Sequence, residues 1–322
     1  MKIRCLGNTE LEMYNALACR HGTLFNCSDW LVLFGDNVQT LGIFEDGGEM
    51  VGGLSFIHEH PFGLKIVRNA PYTPTCGPFI AVKAQNPVAI LETRRKVLEC
   101  IVEYLEKENP AIVRLGLDQG IFDALPFFWA GYKVIPAYTY RLDLSISLEQ
   151  IKKNMSPTRR NDITKALRDG LTVRLTTDLD VVKQLCLVTF NRQKLQVNQT
   201  WLDAILFKYA NSSNSYAFTT YRSDDIPIAT CFVVHDTKTA YYVIGGYSAE
   251  LGHHGAGAMA MFEAIKHAKE IGLKIFDFEG SVVPAIERYF RGFGGELTPY
   301  YTVNKAWLPF EIGLKFFKRN LF

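Results

Sequence analysis

Two acidic residues stand two positions apart at the end of a predicted strand. Asp277 and Glu279 lie in the segment KIFDFEG, and alternate residues of a strand point to the same face. A carboxylate pair at the carboxyl end of a strand, beside a loop, suits a general base or an anchor for a substrate amine. The structural alternative is that both side chains cap the following helix or pair with Arg288 and Arg291.

A cation and an aromatic side chain follow these carboxylates closely. Phe290 and Arg291 directly precede the turn GFGG at 292–295. A guanidinium group keeps its proton at physiological pH, so Arg291 can stabilise negative charge but cannot serve as a base. We therefore predict that Arg291 belongs to the catalytic set and that Phe290 contacts the substrate.

A helix start rich in glycine and alanine follows another predicted strand, TAYYVIGGYS at 239–248. Backbone amides at a helix N-terminus are unpaired, and the helix dipole favours an anion there. Such small residues let a phosphate or carboxylate approach the backbone, but they also permit close packing of a helix on a sheet. Tyr242 is predicted to contact the substrate and Tyr247 to take part in catalysis. The residues predicted to bind the anionic ligand are Gly246, His254, Gly255, Ala256 and Gly257.

A basic segment runs from Lys152 to Arg174, with seven basic and two acidic residues. Ser156 followed by Pro157 predicts the N-cap and first residue of a helix in this segment. The functional interpretation is contact with the phosphates of a nucleotide or nucleic acid. A solvated helix face is the alternative interpretation. The residues predicted to contact the substrate are Arg159, Arg160 and Lys165.

The elements that hold these residues repeat along the chain. The last third is predicted to form a helix, a strand, a short helix and a strand, at 255–272, 274–280, 284–293 and 296–308. The same order precedes residue 144, and each set ends in a strand that contains Pro-x-Tyr, at Pro136 and Pro299. We interpret this as two copies of one α/β unit. Because no stretch rich in Pro, Gly or Ser separates the copies, we expect them to pack closely.

Composition excludes several classes of protein. The 322 residues suggest about two domains, and 48% hydrophobic with 21% charged residues argues against disorder. The apolar runs are much shorter than the ~20 residues that span a bilayer, which excludes stable membrane insertion. The charged N-terminal segment lacks the apolar core of a secretory signal. A net charge of +2 excludes a uniformly basic surface.

The cysteines and histidines do not form a metal-binding pattern. Seven cysteines are scattered without Cys-x-x-Cys spacing, which argues against a disulfide framework and a zinc site. We expect reduced, buried thiols in a cytoplasmic protein. His58 and His60 alternate on a predicted strand, but no third ligand is near them in the sequence, so we predict no metal.

Three passages resemble the GNAT acyltransferase superfamily, specifically the tandem-domain branch that includes the Fem-type peptidoglycan bridge-forming aminoacyltransferases. They are SPTRRNDITKALRDGLTVR, the run around LGHHGAGAMAMFEAIKHA, and FDFEGS with the following IERYFRGFGGELTPYYTVNK. The resemblance implies an α/β fold with mixed sheets, built as two tandem GNAT-like domains. It implies a first domain at 1–144, joined by the segment 309–322, and a second, donor-side domain at 145–308.

The same resemblance implies an acyltransferase. The donor is expected to be an acyl-CoA or an aminoacyl-tRNA, and the acceptor an amine, on a cell-wall or glycan precursor. Glu279 or Asp277 would take the amine proton, and Arg291 with nearby amides would stabilise the acyl oxygen. A tyrosine would protonate the leaving group. The candidates for this role are Tyr247, Tyr289 and Tyr301, and Tyr301 is also predicted to contact the substrate.

This chain departs from the family pattern at several positions. Arg291 stands where Fem-type enzymes have Lys, and Gly252 stands where other GNAT enzymes have an Arg or Gln that binds pyrophosphate. The backbone amides of this helix start remain available to bind a pyrophosphate. No helical-hairpin insertion of the kind that some Fem-type enzymes use for RNA is visible, so a tRNA partner is not favoured. The helix predicted at 87–108 begins with Pro87, which lacks an amide, so we expect the first domain to frame the acceptor without binding the donor.

Two alternatives stay open. A non-catalytic GNAT-like module would bind a nucleotide-sugar, glycan or peptide without transferring an acyl group. The terminal segment could also contact a membrane surface, although a packed terminal helix is favoured. The residues of that contact would be Phe316, Phe317, Lys318, Arg319 and Phe322. The sequence does not specify the donor, the acceptor or the oligomeric state.

Overall fold

The chain divides into two compact units in the computed structural model, which describes residues 1–194, 197–280 and 283–317. Unit 1 comprises Met1–Ala137 and Pro299–Phe322, and unit 2 comprises Tyr138–Thr298. Among the described residues, no helix combines the length and apolar character that a bilayer crossing requires.

In chain order, the first elements are β1 (Lys2–Cys5), α1 (Leu11–His21), α2 (Ser28–Leu31), β2 (Val38–Phe44), β3 (Met50–Glu59), β4 (Ile66–Arg68), β5 (Phe79–Ile80), α3 (Pro87–Glu108), β6 (Ile112–Gly116), α4 (Leu125–Trp129) and β7 (Lys133–Asp143). The next elements are α5 (Leu148–Asn154), α6 (Pro157–Arg168), β8 (Thr172–Leu175), α7 (Leu179–Arg192), α8 (Gln199–Ala204), β9 (Ser215–Tyr221), β10 (Pro227–His235) and β11 (Thr239–Tyr247). The chain continues with α9 (Ala256–Glu270), β12 (Ile275–Asp277), α10 (Pro284–Arg291), β13 (Glu296–Ala306) and α11 (Leu308–Phe317).

Unit 1 packs α3 on one face of a mixed sheet. Its strands follow the order β1-β2-β3-β4-β6-β13, and β4 with β6 is a parallel pair. The oxygen of Asn86 accepts hydrogen bonds from the amides of Val88 and Ala89, so α3 begins with its first turn capped. The apolar residues of α3 recur at helical spacing, which buries one side of the helix on the sheet. These residues are Val97, Leu98, Ile101, Val102 and Leu105.

Unit 2 packs α9 on its own set of parallel and antiparallel strands. Its strands follow the order β7-β12-β11-β10-β9-β8, and β11 with β12 is the parallel pair. Most of α9 is buried, and several of its buried residues are alanines, whose small side chains let the helix lie close to the strands. Mixed-sheet strands with packed helices in each unit confirm the predicted α/β fold.

The helices that carry the predicted site residues have bounds close to those expected. The helix predicted at 255–272 is α9, with Gly255 as its N-cap, and the strand predicted at 274–280 is reduced to β12. That strand ends early because Glu279 and Gly280 both adopt positive φ, at 61° and 71°. Positive φ is incompatible with an extended strand, so the chain turns at this point.

Candidate active site

The sheet of unit 2 opens where β11 and β12 separate. The parallel pairing covers only Thr239–Tyr241 of β11, and β12 ends at Asp277 while β11 continues to Tyr247. On its other side, β11 has a bulge at Val243, because Phe232 pairs with Ile244 and the next residue of β10 pairs with Tyr242. Bulges re-aim the backbone and increase strand twist, so the end of β11 diverges from β12.

The N-terminus of α9 follows this divergence and carries unpaired amides. The N-cap is Gly255, which has no side chain to cap the helix, and the amide of Ala256 donates to the carbonyl of His253 at 2.8 Å. In the described part of the chain, the amides of Gly257 and Ala258 donate no hydrogen bond. Unpaired amides at the positive end of a helix dipole form a binding site for an anionic group.

Among the predicted glycines, Gly257 differs from Gly246 and Gly255 in what surrounds it. A methyl group at Gly257 would meet only the hydroxyl of Tyr289, at 3.3 Å, so the backbone there is accessible. At Gly255 it would collide with the carbonyl oxygen of Asp162 in α6, and at Gly246 it would lie 2.6 Å from the amide nitrogen of Cys186 in α7. Those two glycines therefore permit close helix packing.

The two histidines before α9 connect this loop to α6. The rings of His253 and His254 stack with centroids 4.6 Å apart. The Nε2 atom of His253 lies 2.9 Å from Asp169, and that of His254 lies 3.6 Å from Asp162. His254, one of the predicted ligand-binding residues, is thus held beside α6 with its side chain more than half exposed.

The two carboxylates have different surroundings. Asp277 is 1% exposed, and its Oδ1 accepts hydrogen bonds from the hydroxyl of Thr139 at 2.5 Å and from the amide of Glu279 at 2.9 Å. Its Oδ2 lies 3.4 Å from Nε of Arg141. Asp277 therefore joins β12 to β7 and holds the turn at Glu279. The local sequence does not indicate that Thr139 and Arg141 contact Asp277, because the pairing of β7 with β12 brings them together.

Glu279 has no such partners. Its side chain is partly buried, and within residues 1–194, 197–280 and 283–317 its carboxyl group makes no hydrogen bond or ion pair. Burial, followed by the negative charge of Asp277, raises the pKa of Glu279 well above its ordinary value, while Arg141 acts in the opposite direction. A carboxyl with a raised pKa and no partner is suited to proton transfer.

Aromatic side chains of α10 and β11 surround the α9 start. The hydroxyl of Tyr289 lies beside Gly257, and the guanidinium of Arg159 lies 4.8 Å above the tyrosine ring. Burial raises the pKa of Tyr289, and Arg159 opposes that effect. Tyr242 packs edge-on against Phe290 with ring centroids 5.7 Å apart. The structure thus brings Arg159, Tyr242, Gly257, Tyr289 and Phe290 together.

The other predicted basic residues have partners within unit 2. Arg160 donates to the carbonyls of Lys153 and Met155 at 2.9 Å, at the end of α5. Lys165 pairs with Asp169 along α6. Arg291 is 59% exposed, and its Nε lies 3.4 Å from Glu287.

The remaining predicted tyrosines lie elsewhere. Tyr247 packs against α7, where its amide donates to the hydroxyl of Thr189 at 2.7 Å and Arg192 lies 5.5 Å from its ring centroid. Tyr301 belongs to unit 1 and packs against the core of that unit. Of the residues proposed for a membrane contact, Phe316 is 82% exposed in α11, whereas Lys318, Arg319 and Phe322 lie outside the described residues.

Among the described residues, no group of three or more His, Cys, Asp or Glu side chains is arranged to hold a metal ion. His58 and His60 stack with centroids 6.1 Å apart, and burial followed by the nearby Lys65 lowers the pKa of His58 to about 4.

Comparison with known proteins relates this site to one family. Residues 157–291 match the family model described as an acetyltransferase (GNAT) domain. A comparison with curated proteins found no match.

Solved structures extend the similarity over nearly the whole chain. FemX is 13% identical with a TM-score of 0.67, and the match covers 98% of this chain and 99% of FemX. A tandem GNAT protein from the clavulanic acid biosynthesis pathway is 14% identical with a TM-score of 0.54, and the match covers 94% of this chain and 98% of that protein. The C-terminal domain of a putative lysylphosphatidylglycerol synthetase from Agrobacterium fabrum is 12% identical, covering 95% of both chains, with a TM-score of 0.58. At these identities the similarity is one of fold, and it confirms the predicted tandem GNAT architecture.

Proposed function

We propose that this chain, which belongs to the GNAT superfamily and has a fold resembling the Fem-type enzymes, transfers an acyl group from an acyl-CoA to an amine. The observation that carries the proposal is the uncapped start of α9, where the amides of Gly257 and Ala258 lie beside the divergence of β11 from β12. An acyl-CoA presents a pyrophosphate, which is the kind of group that such amides bind. An aminoacyl-tRNA is the second donor we consider.

We assign the proton transfers to Glu279 and Tyr289. The amine loses a proton to the ionised form of Glu279 as the amine nitrogen attacks the acyl carbon, and the C–S bond of the thioester breaks as the C–N bond forms. Tyr289 donates a proton to the departing sulfur, and exchange with solvent restores both groups. Glu279 is supported by its carboxyl, which has no partner among the described residues, and Tyr289 by its position beside Gly257.

The other predicted catalytic residues take supporting roles in this proposal. Asp277 holds the backbone of Glu279 through the hydrogen bond from its amide and is a positioning residue. Arg291, exposed on α10, is the candidate contact for an anionic part of the acceptor. We propose an amine on a cell-wall or glycan precursor as the acceptor, on the basis of the fold shared with FemX.

Donor binding is tested with acetyl-CoA and a charge reversal at the α9 start. Gly257→Glu places a carboxylate where the pyrophosphate would bind, so we expect acetyl-CoA to stabilise the unaltered protein against heat and to have at least a tenfold weaker effect on the variant. Gly313→Glu is the control, because Gly313 also lies in a helix with free space around it. Equal stabilisation of all three proteins would refute the donor site.

Catalysis is tested separately from donor binding. Glu279→Gln keeps the shape of the side chain but cannot accept the proton, so acyl transfer to an amine should fall by about 10²–10⁴-fold while acetyl-CoA binding is retained. Full activity in this variant would remove Glu279 from the mechanism. If only a nucleotide-sugar or an aminoacyl-tRNA mimic stabilises the protein, the binding-module or the bridge-forming alternative replaces our proposal.

A further inference from the structure

Two cysteines of unit 1 lie close to each other. The Sγ atoms of Cys19 and Cys27 are 3.3 Å apart, and Cys19 is exposed while Cys27 is partly buried. This corrects the expectation that the cysteines are buried, which holds only for Cys76, Cys186 and Cys231. The local sequence has no Cys-x-x-Cys spacing, so only the fold reveals the pair.

The surrounding segment holds the two thiols together. Cys19 lies in the last part of α1, and Asn15, one helical turn earlier, is on the same face. The side-chain oxygen of Asn15 accepts a hydrogen bond from the amide of Ser28 at 2.8 Å, which places Cys27 against α1. The connection is a tight loop in which the amide of Cys27 donates to the carbonyl of Leu24 at 3.0 Å.

We propose that Cys19 and Cys27 form a modification site at which a peroxide produces an intramolecular disulfide. The exposed Cys19 thiol gives up its proton and attacks one peroxide oxygen, the O–O bond breaks, and Cys19 becomes a sulfenic acid as the departing hydroxide takes that proton and leaves as water. The Cys27 thiol then gives up its proton and attacks this sulfur, the S–S bond forms, and the sulfenic hydroxyl takes that proton and leaves as a second water. The two sulfurs close from 3.3 Å to about 2.05 Å, a movement within reach of side-chain rotation.

Cys5 provides an internal comparison. It is also exposed, but its sulfur contacts the hydroxyl of Tyr104 and the side-chain amide of Gln39. With no thiol in contact among the described residues, Cys5 can be oxidised by peroxide to a sulfenic acid but can form a disulfide only with a thiol of another molecule. The proposal therefore predicts that peroxide affects the two exposed cysteines differently.

The experiment uses the full chain and hydrogen peroxide. Tryptic cleavage after Arg4 and Arg20 would leave Cys5 and Cys19 in one peptide, so the measurement is made in a Cys5→Ser background. Non-reducing mass spectrometry should find the peptide containing Cys19 linked to the peptide containing Cys27, with the loss of two hydrogens, and dithiothreitol should reverse the link. Cys19→Ser and Cys27→Ser in the same background should abolish it.

Two results would overturn the proposal. One is peroxide treatment that yields only sulfinic or sulfonic acid on Cys19 with no link to Cys27. The other is a link between protein molecules instead of within one, recognised as a dimer on a non-reducing gel. Both readouts are independent of acyl transfer, so the proposal can fail or succeed whatever the protein's activity.

Discussion

At the scale of single residues, two carboxylates with equivalent sequence signals have different roles. Asp277 is surrounded by Thr139, Arg141 and the amide of Glu279, whereas Glu279 has no partner for its carboxyl in the described residues. Burial without a partner among the described residues, followed by the charge of Asp277, raises the pKa of Glu279, so this carboxyl resists ionisation. The same pair of residues thus provides one structural carboxyl and one that we propose to be reactive.

The raised pKa of Glu279 predicts a pH dependence of stability that needs no substrate. Above the ordinary pKa near 4.5, the Glu279 carboxyl loses its proton in the unfolded chain but retains it in the folded chain. The folded state therefore loses stability relative to the unfolded state as pH rises from 4.5 towards the raised pKa of folded Glu279. Glu279→Gln has no proton to lose. We therefore expect its melting temperature to rise relative to the unaltered protein as pH increases from about 5 to about 8.

The control for this measurement is Glu250→Gln, which replaces an exposed carboxylate in the same unit. Its melting temperature should follow that of the unaltered protein across the pH range. A constant difference between Glu279→Gln and the unaltered protein at every pH would contradict the environment that the structure gives Glu279.

At the scale of elements, the N-termini of α3 and α9 explain why one helix start suits an anion and the other does not. The side chain of Asn86 already accepts hydrogen bonds from the first amides of α3, and Pro87 has no amide to offer. The start of α9 has Gly255 at the same position and leaves the amides of Gly257 and Ala258 unpaired among the described residues. Capping chemistry therefore distinguishes two helices that occupy equivalent places in the repeat.

The α9 start also predicts effects of different size for two nearby glycine substitutions. Gly255→Ala pushes a methyl group into the carbonyl of Asp162 and should lower the free energy of unfolding by about 1–3 kcal/mol. Gly257→Ala meets only the Tyr289 hydroxyl and gains helix propensity, so it should leave the free energy of unfolding within about 1 kcal/mol. Urea denaturation of both variants measures the difference, and a larger loss for Gly257→Ala than for Gly255→Ala would contradict it.

At the scale of the whole molecule, the two units share a type of architecture but differ at the helix N-terminus that would bind an acyl donor. Each has a mixed sheet with a long buried helix, α3 in unit 1 and α9 in unit 2. The match to the GNAT domain, at residues 157–291, falls entirely within unit 2. This asymmetry supports our proposal that only unit 2 binds the acyl donor.

The asymmetry can be measured by hydrogen–deuterium exchange. Addition of acetyl-CoA should slow exchange of the amides at 242–258, because the ligand would cover the end of β11 and the start of α9. Exchange at 86–90, the start of α3, should not change. Protection at 86–90 by acetyl-CoA would show that unit 1 binds the donor as well.

The sequence by itself predicted the elements and the fold of this protein. Helix spacing, a capping Ser before Pro157 and the Pro87 start predicted α3, α6 and α9 almost to their ends, because helix periodicity and capping are local properties. The resemblance in the passages around 157–175 and 252–301 predicted the GNAT fold. Local sequence signals and the motif resemblance were therefore sufficient to predict the α/β architecture.

Only the tertiary structure decided which of the predicted residues are available for chemistry. The backbone of Gly257 is accessible, whereas that of Gly255 is covered because α6 packs against it. Tyr289 lies beside the unpaired amides of the α9 start, whereas Tyr247 packs against α7. The thiol pair of Cys19 and Cys27 likewise depends on the contact between α1 and the loop that follows it. These distinctions are set by contacts between segments that are separate along the chain, and periodicity and spacing contain no information about such contacts.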